Sequence, residues 1–216
     1  MSVLSNHVSL SADPSIPSVV YLGELYNMFI LAFTFRVVPL GLIFLSIVAN
    51  LASVAEAGDF TIKIVRKLST VEHQTGKDKD GKDVEGDLIS GVIFVNDEEV
   101  GKTYENNVLK IPVNDIGYEG KIRVKSPDRH CLNDTGKLGT TGDFLVEIVV
   151  QGRSNILIHG GIKPWQSEGC VMLGAVVTTE NGERLAPKEL VKLRELYFSA
   201  LKKDPGLKLV IRVLEE

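Results

Sequence analysis

A mainly β fold, a twisted β-sandwich or partly open barrel with one C-terminal helix, is what this sequence predicts. Three observations carry the expectation. Apolar residues alternate with polar ones in several runs after Gly58, the signature of half-buried strands. Short clusters of Gly, Asn and Asp punctuate those runs as turns do. Only near the C-terminus does helical spacing appear, at Leu190, Leu193, Leu196, Tyr197 and Leu201.

Taken in order, the first strand is Asp59 to Lys67, apolar at Phe60, Ile62 and Ile64. The mixed-charge run from His73 to Asp83 reads as a solvated hairpin tip or loop. Its interleaved lysines argue against a calcium loop, which needs converging oxygens. Leu88 to Val95 is a strand entering a turn at Asn96-Asp97, and shorter strands are expected at Val108–Val113 and Lys121–Lys125. A Gly/Asp/Thr-rich loop from Asn133 to Asp143 leads to an apolar strand at Phe144–Val150. Gln151-Gly152-Arg153 turns the chain into a strand ending at His159, and Val171–Val177 is apolar again before the Asn181-Gly182 turn. Pro187 suits the start of the helix, Lys202 and Lys203 complement its C-terminal dipole, and Asp204-Pro205-Gly206 stops it. Leu207, Leu209, Ile211 and Val213 alternate as a closing strand.

Hydrophobic residues at 44% and charged residues at 24% place the chain among ordinary globular proteins. A net charge of −4, with no basic run, gives no electrostatic footprint for nucleic acid. Residues 1–57 differ from the rest. No charged residue lies between Arg36 and Glu56, and the apolar stretch ends in small residues at Ser53, Ala55 and Ala57. Such a segment reads as a signal peptide, with a retained membrane anchor or a buried helix as alternatives. Met28 is a plausible start for it, with residues before Met28 as an upstream extension. The expected organisation is an extension with signal peptide or anchor over 1–57 and one exported domain over 58–216, periplasmic or secreted.

Chemistry concentrates at His159 and Cys170, eleven residues apart. A cysteine is a nucleophile as its thiolate and needs a base or positive charge beside it. Here a strand end presents His159, Gly160 and Gly161 bend the chain, and Gly169 permits a tight turn before the sulfur. N–H groups around that turn could hold an oxyanion. The alternative is a structural histidine beside a buried thiol. Cys131 is the only other cysteine, and in an oxidising compartment the two could pair as a disulfide. No C-x-x-C or H-E-x-x-H spacing suggests a metal, and no cofactor is expected.

Ile158-His159-Gly160 followed by Ser167-Glu168-Gly169-Cys170-Val171 resembles the signature of the L,D-transpeptidase catalytic domain, the YkuD-like family. Glu168 stands where that family commonly has His, and Met172 where it commonly has Arg or Asn, so the chain looks like a small divergent relative. The resemblance implies a β-rich fold, Cys170 as nucleophile, His159 as base, and acyl transfer or hydrolysis on peptidoglycan stem peptides. A non-catalytic wall-binding or structural module of the same fold is the alternative.

Supporting roles follow from residue chemistry. A third group should orient the histidine, and a backbone carbonyl near Gly160 or Gly161 would serve as well as a side chain. Ser167 either hydrogen-bonds across the turn or touches substrate. Arg153 lies six residues before His159. If the strand reaches that far it shares the histidine's face and could grip a substrate carboxylate; otherwise it is a solvated residue. Trp165, the only tryptophan, either stacks on sugar or peptide or anchors the loop by packing. His130, adjacent to Cys131, is set aside because neighbouring residues rarely aim their side chains at each other.

Overall fold

The alternation at Phe60, Ile62 and Ile64 forms the first strand of the computed structural model, which describes residues 58–216. The expected signal peptide or anchor therefore lies outside the described residues. Thirteen strands and one α-helix are found among those described. They run Asp59–Arg66 (β1), Glu72–Lys77 (β2), Asp83–Val95 (β3), Glu98–Asn106 (β4), Asn114–Ile122 (β5), Cys131–Leu132 (β6) and Lys137–Gly139 (β7). Val146–Ile148 (β8), Leu157–His159 (β9), Val171–Met172 (β10), Val177–Thr178 (β11), Arg184–Leu185 (β12), Lys188–Lys203 (α1) and Lys208–Glu215 (β13) follow.

Nine strands make one mixed sheet in the order β1-β13-β5-β8-β9-β10-β4-β3-β2. The long β3 also pairs with β1, from Ile62↔Val95 to Arg66↔Gly91, which turns the sheet round on itself into a nearly closed ring. Two neighbouring pairs are parallel, β1 with β13 and β9 with β10. Four short strands form a second sheet, β11-β12-β7-β6. The expected partly open barrel with a C-terminal-region helix is thus the observed architecture.

The interior is filled by the alternate residues of the ring strands, among them Ile62, Ile64, Ile93, Val146, Ile158, Val171, Ile211 and Val213. Helix α1 adds Leu190 and Leu193, both buried, and Tyr197, whose ring meets Phe60 edge-on at 5.4 Å. Burying each leucine is worth roughly 1.5–3 kcal/mol. The helix ends as its sequence dictates, with Lys202 and Lys203 in the last turn and Asp204 capping through its N–H to the Ala200 carbonyl. Asn96 and Asp97, both at positive φ, make the two-residue turn between β3 and β4.

Several elements depart from expectation. Strand β4 (Glu98–Asn106) has a weak apolar pattern because its inward positions are Val100, Thr103 and Glu105, and a bulge opposite Ile93/Phe94 puts Val100 out of step with Thr103 and Glu105. Val108–Val113 is not a strand. Its carbonyls are taken instead by two arginines, Arg66 at Ile111 and Arg153 at Leu109 and Lys110. The strand expected at Lys121–Lys125 lies mostly earlier, as β5, and the loop Asn133–Asp143 contains β7. Arg66 ends β1 on the buried side. It pairs bidentately with Glu105, Nε–Oε1 and Nη2–Oε2 both at 2.8 Å. Burial would lower the guanidinium pKa, but Glu105 and Glu215 leave it raised overall.

Candidate functional site

The two-residue repeat of a strand decides what faces what. Ile158 on β9 and Val171 on β10 point into the main core, so Leu157, His159, Cys170 and Met172 share the opposite face. The parallel register sets Met172 beside His159, which places Cys170 beside Leu157. His159 and Cys170 are therefore diagonal neighbours on one face, with Cα atoms roughly 8 Å apart from strand spacing alone. The second sheet covers this face: Cys131 of β6 joins Leu145 and Leu157 in a small apolar cluster against which Cys170 packs.

His159 is buried, and its Nδ1 lies 2.9 Å from the Gly160 carbonyl oxygen. A carbonyl can only accept, so Nδ1 carries the proton and Nε2 presents a lone pair. This is the tautomer a general base requires. Burial depresses the histidine below its ordinary 6.5, the Gly160 bond opposing and the Arg184 charge adding to the effect. The imidazole is neutral at neutral pH.

His130 stacks on this ring, centroids 4.2 Å apart and planes 29° off parallel. Burial, with His159 and Arg184 beside it, pushes His130 down to about 4, and its Nδ1 is buried with no partner among the described residues. Sequence reasoning set His130 aside for its adjacency to Cys131, and no local pattern announces a partner 29 residues on. The pairing of β6 with β7, and of β7 with β12, carries it there.

Cys170 is half-buried. Its sulfur accepts the Leu157 N–H at 3.3 Å and turns its own proton to the Asn155 carbonyl at 3.4 Å. Burial raises the thiol above its ordinary value; the Leu157 N–H and the Arg153 charge oppose this and Glu168 adds to it. Thiol and imidazole are thus both in their neutral forms, each bonded to backbone rather than to the other. Cys131 is also a free thiol, fully buried and likewise raised by burial.

The remaining expected residues divide by role. Ser167 bonds across the turn, its Oγ donating to the Cys170 carbonyl at 2.8 Å and accepting the Gly169 N–H at 3.1 Å. Gly169 has φ +109°, and a Cβ there would overlap the Arg153 guanidinium and come within 2.6 Å of the Leu109 oxygen. Arg153 does not extend the histidine's strand, because β9 begins only at Leu157 and Gly152 turns at φ +75°. Its guanidinium is committed to the carbonyls of Leu109 (2.9 Å) and Glu168 (3.0 Å), so it props the cysteine loop rather than reaching for a carboxylate. Trp165 packs against β2, where a Cβ at Gly76 would lie 2.7 Å from its ring.

Gly160 and Gly161 line a cleft of about 400 Å³ with His159, His130, Lys163 and Arg184. Gly161 donates to the Gly174 carbonyl at 2.8 Å. The N–H groups of Gly161 and Gly169 are thus both committed and do not offer themselves to an oxyanion. Set against protein-family models, curated proteins and solved structures, the chain has no match in any of the three.

Proposed function

We propose that this chain is a cysteine-dependent acyl transferase or hydrolase acting on peptidoglycan stem peptides, of the L,D-transpeptidase or L,D-carboxypeptidase type. The observation that carries the reading is the hydrogen bond between His159 Nδ1 and the Gly160 carbonyl, which leaves Nε2 as a neutral base on the face that also holds Cys170. His159 takes the thiol proton as the sulfur attacks a peptide carbonyl, giving a tetrahedral intermediate. Its collapse expels the amine, which receives that proton from the imidazolium, and leaves the thioester on Cys170. Water or a second amine then cleaves the thioester, with His159 acting again as base. The cysteine loop needs Ser167, Gly169 and Arg153 for its shape, and this supports the reading that the turn is built for the sulfur.

Digestion of purified sacculi, with mass analysis of released or exchanged muropeptides, tests it. Wild-type protein alters the profile, Cys170→Ala abolishes the change, and His159→Ala removes most of the rate, about 10²–10⁴-fold. A second reading, a non-catalytic wall-binding module, is favoured by the thiol and imidazole being bonded to backbone and not to each other. Identical profiles for wild type and Cys170→Ala on several wall types, with both retained on the sacculi, establish it instead.

A further inference from the structure

The cleft beside His159 carries an electrostatic signature that the reaction chemistry does not use. Its lining includes two cations, Arg184 and Lys163, and no acidic side chain. Arg184 spends one nitrogen, Nη1, on the carbonyls of Asp128 (3.2 Å) and Arg129 (3.0 Å), and no carboxylate pairs with it among the described residues. Those bonds hold the guanidinium in place while leaving Nε and Nη2 as donors. Lys163 likewise has no carboxylate partner among the described residues; its ammonium stands 5.8 Å from the centre of the Trp165 ring. Asp128, exposed, is the acidic residue whose charge reaches the two histidines from outside the lining. A half-buried arginine with a rigid mounting and two free donors is the fork that planar anions fit.

We propose that this cleft is a binding site for the carboxylate end of a short peptide, held by Arg184 with Lys163 beside it. Its volume is at the small end of ligand pockets, enough for one or two amino-acid residues. The carboxylate lies against the cations, and the peptide bond that precedes it runs past His159 toward the Cys170 strand. Arg184 thereby supplies a cation for the carboxylate, which Arg153, bound to the backbone, does not. The assignment rests on the proposed use of this site for peptides, but binding is measurable without turnover.

The test uses the full chain carrying Cys170→Ala, titrated calorimetrically with N-acetyl-dialanine, with its C-terminal amide, and with inorganic phosphate. Trp165 emission is a second readout, because the ring lies beside Lys163. The free acid binds, the amide binds about tenfold more weakly or worse, and Arg184→Gln weakens the acid by a similar factor. Lys163→Gln, whose side chain makes no carbonyl bond to the backbone, gives a smaller loss in the same direction and guards against Arg184→Gln merely loosening the 128–129 loop. Equal affinity for acid and amide, no binding of either, or phosphate binding as tightly as the acid each overturns the proposal. Acid-selective binding without wall processing by wild type keeps this site and removes the enzyme reading. Wall processing without acid selectivity does the reverse.

Discussion

Replacing Glu105 by leucine removes the partner of the most deeply buried charge among the described residues. Arg66 is 0% exposed and Glu105 1%, and two bonds of 2.8 Å join them. Breaking one side of such a pair typically costs about 3–5 kcal/mol, because an uncompensated charge is left in the interior. Two contacts survive in the variant, from Arg66 to the Ile111 carbonyl at 2.7 Å and to Glu215, one-quarter exposed, at 3.2 Å. They set the expectation at the lower end, about 3 kcal/mol. For a domain of this size that is roughly 6–12 °C in melting temperature. Thermal unfolding of wild type, Glu105→Leu and the double variant Arg66→Met/Glu105→Leu measures it. The double variant, with neither charge, returns to within about 1 kcal/mol of wild type or exceeds it. Arg66 also fixes the 107–113 segment whose carbonyls hold Arg153, and Arg153 holds the Glu168 carbonyl two residues before Cys170. Alkylation of Cys170 is therefore faster in Arg66→Met/Glu105→Leu, which loses the Ile111 bond, than in Glu105→Leu, which keeps it. A single variant as stable as wild type, or a double variant no better than the single, refutes the reasoning.

Other expectations can be checked separately. Gly169→Ala costs about 3 kcal/mol or more by thermal unfolding, from backbone strain, the approach to the Leu109 oxygen and loss of the Arg153 bonds, and less in an Arg153→Ala background, where only the strain and the Leu109 contact remain. In iodoacetamide labelling with peptide mapping, Cys170 reacts before the fully buried Cys131; equal rates count against the site. Any acyl-transfer rate falls on the acid side with a midpoint below 6.5, as His159 protonates, and stays flat to above pH 9 because Cys170 is raised; an acid limb centred above 6.5, or an alkaline limb below pH 9, refutes the neutral pair. His130 has a folded pKa of about 4 against 6.5 unfolded, so the unfolded chain binds the extra proton and stability falls as pH drops from about 6.5 to 4. The melting temperature falls less steeply across that range in His130→Gln, and His159, also depressed by burial, contributes to the slope that remains.

The sequence by itself determined the parts whose signal is local. Alternation at Phe60, Ile62 and Ile64 and at Leu209, Ile211 and Val213 marks strands because each side chain reports which face it occupies. The spacing from Leu190 to Leu201 with its Asp-Pro-Gly stop marks the helix for the same reason. Ser167, Gly169 and Cys170 are legible as a tight turn, since its bonds run over only two or three residues. Tertiary structure decided what depends on partners distant in the chain. Strand β4 was hidden because its inward positions include Thr103 and Glu105, and the charge at Glu105 is tolerated there only by virtue of Arg66, 39 residues away. Val108–Val113 has a strand's composition, yet arginines take the carbonyls a neighbouring strand would have used. His130 and Arg184 reach His159 only through the second sheet, and Arg153 is drawn from the expected substrate side to the back of the cysteine loop. Period and turn chemistry are written residue by residue, whereas the pairing of buried charges and the assembly of a cleft are settled by which strands lie side by side.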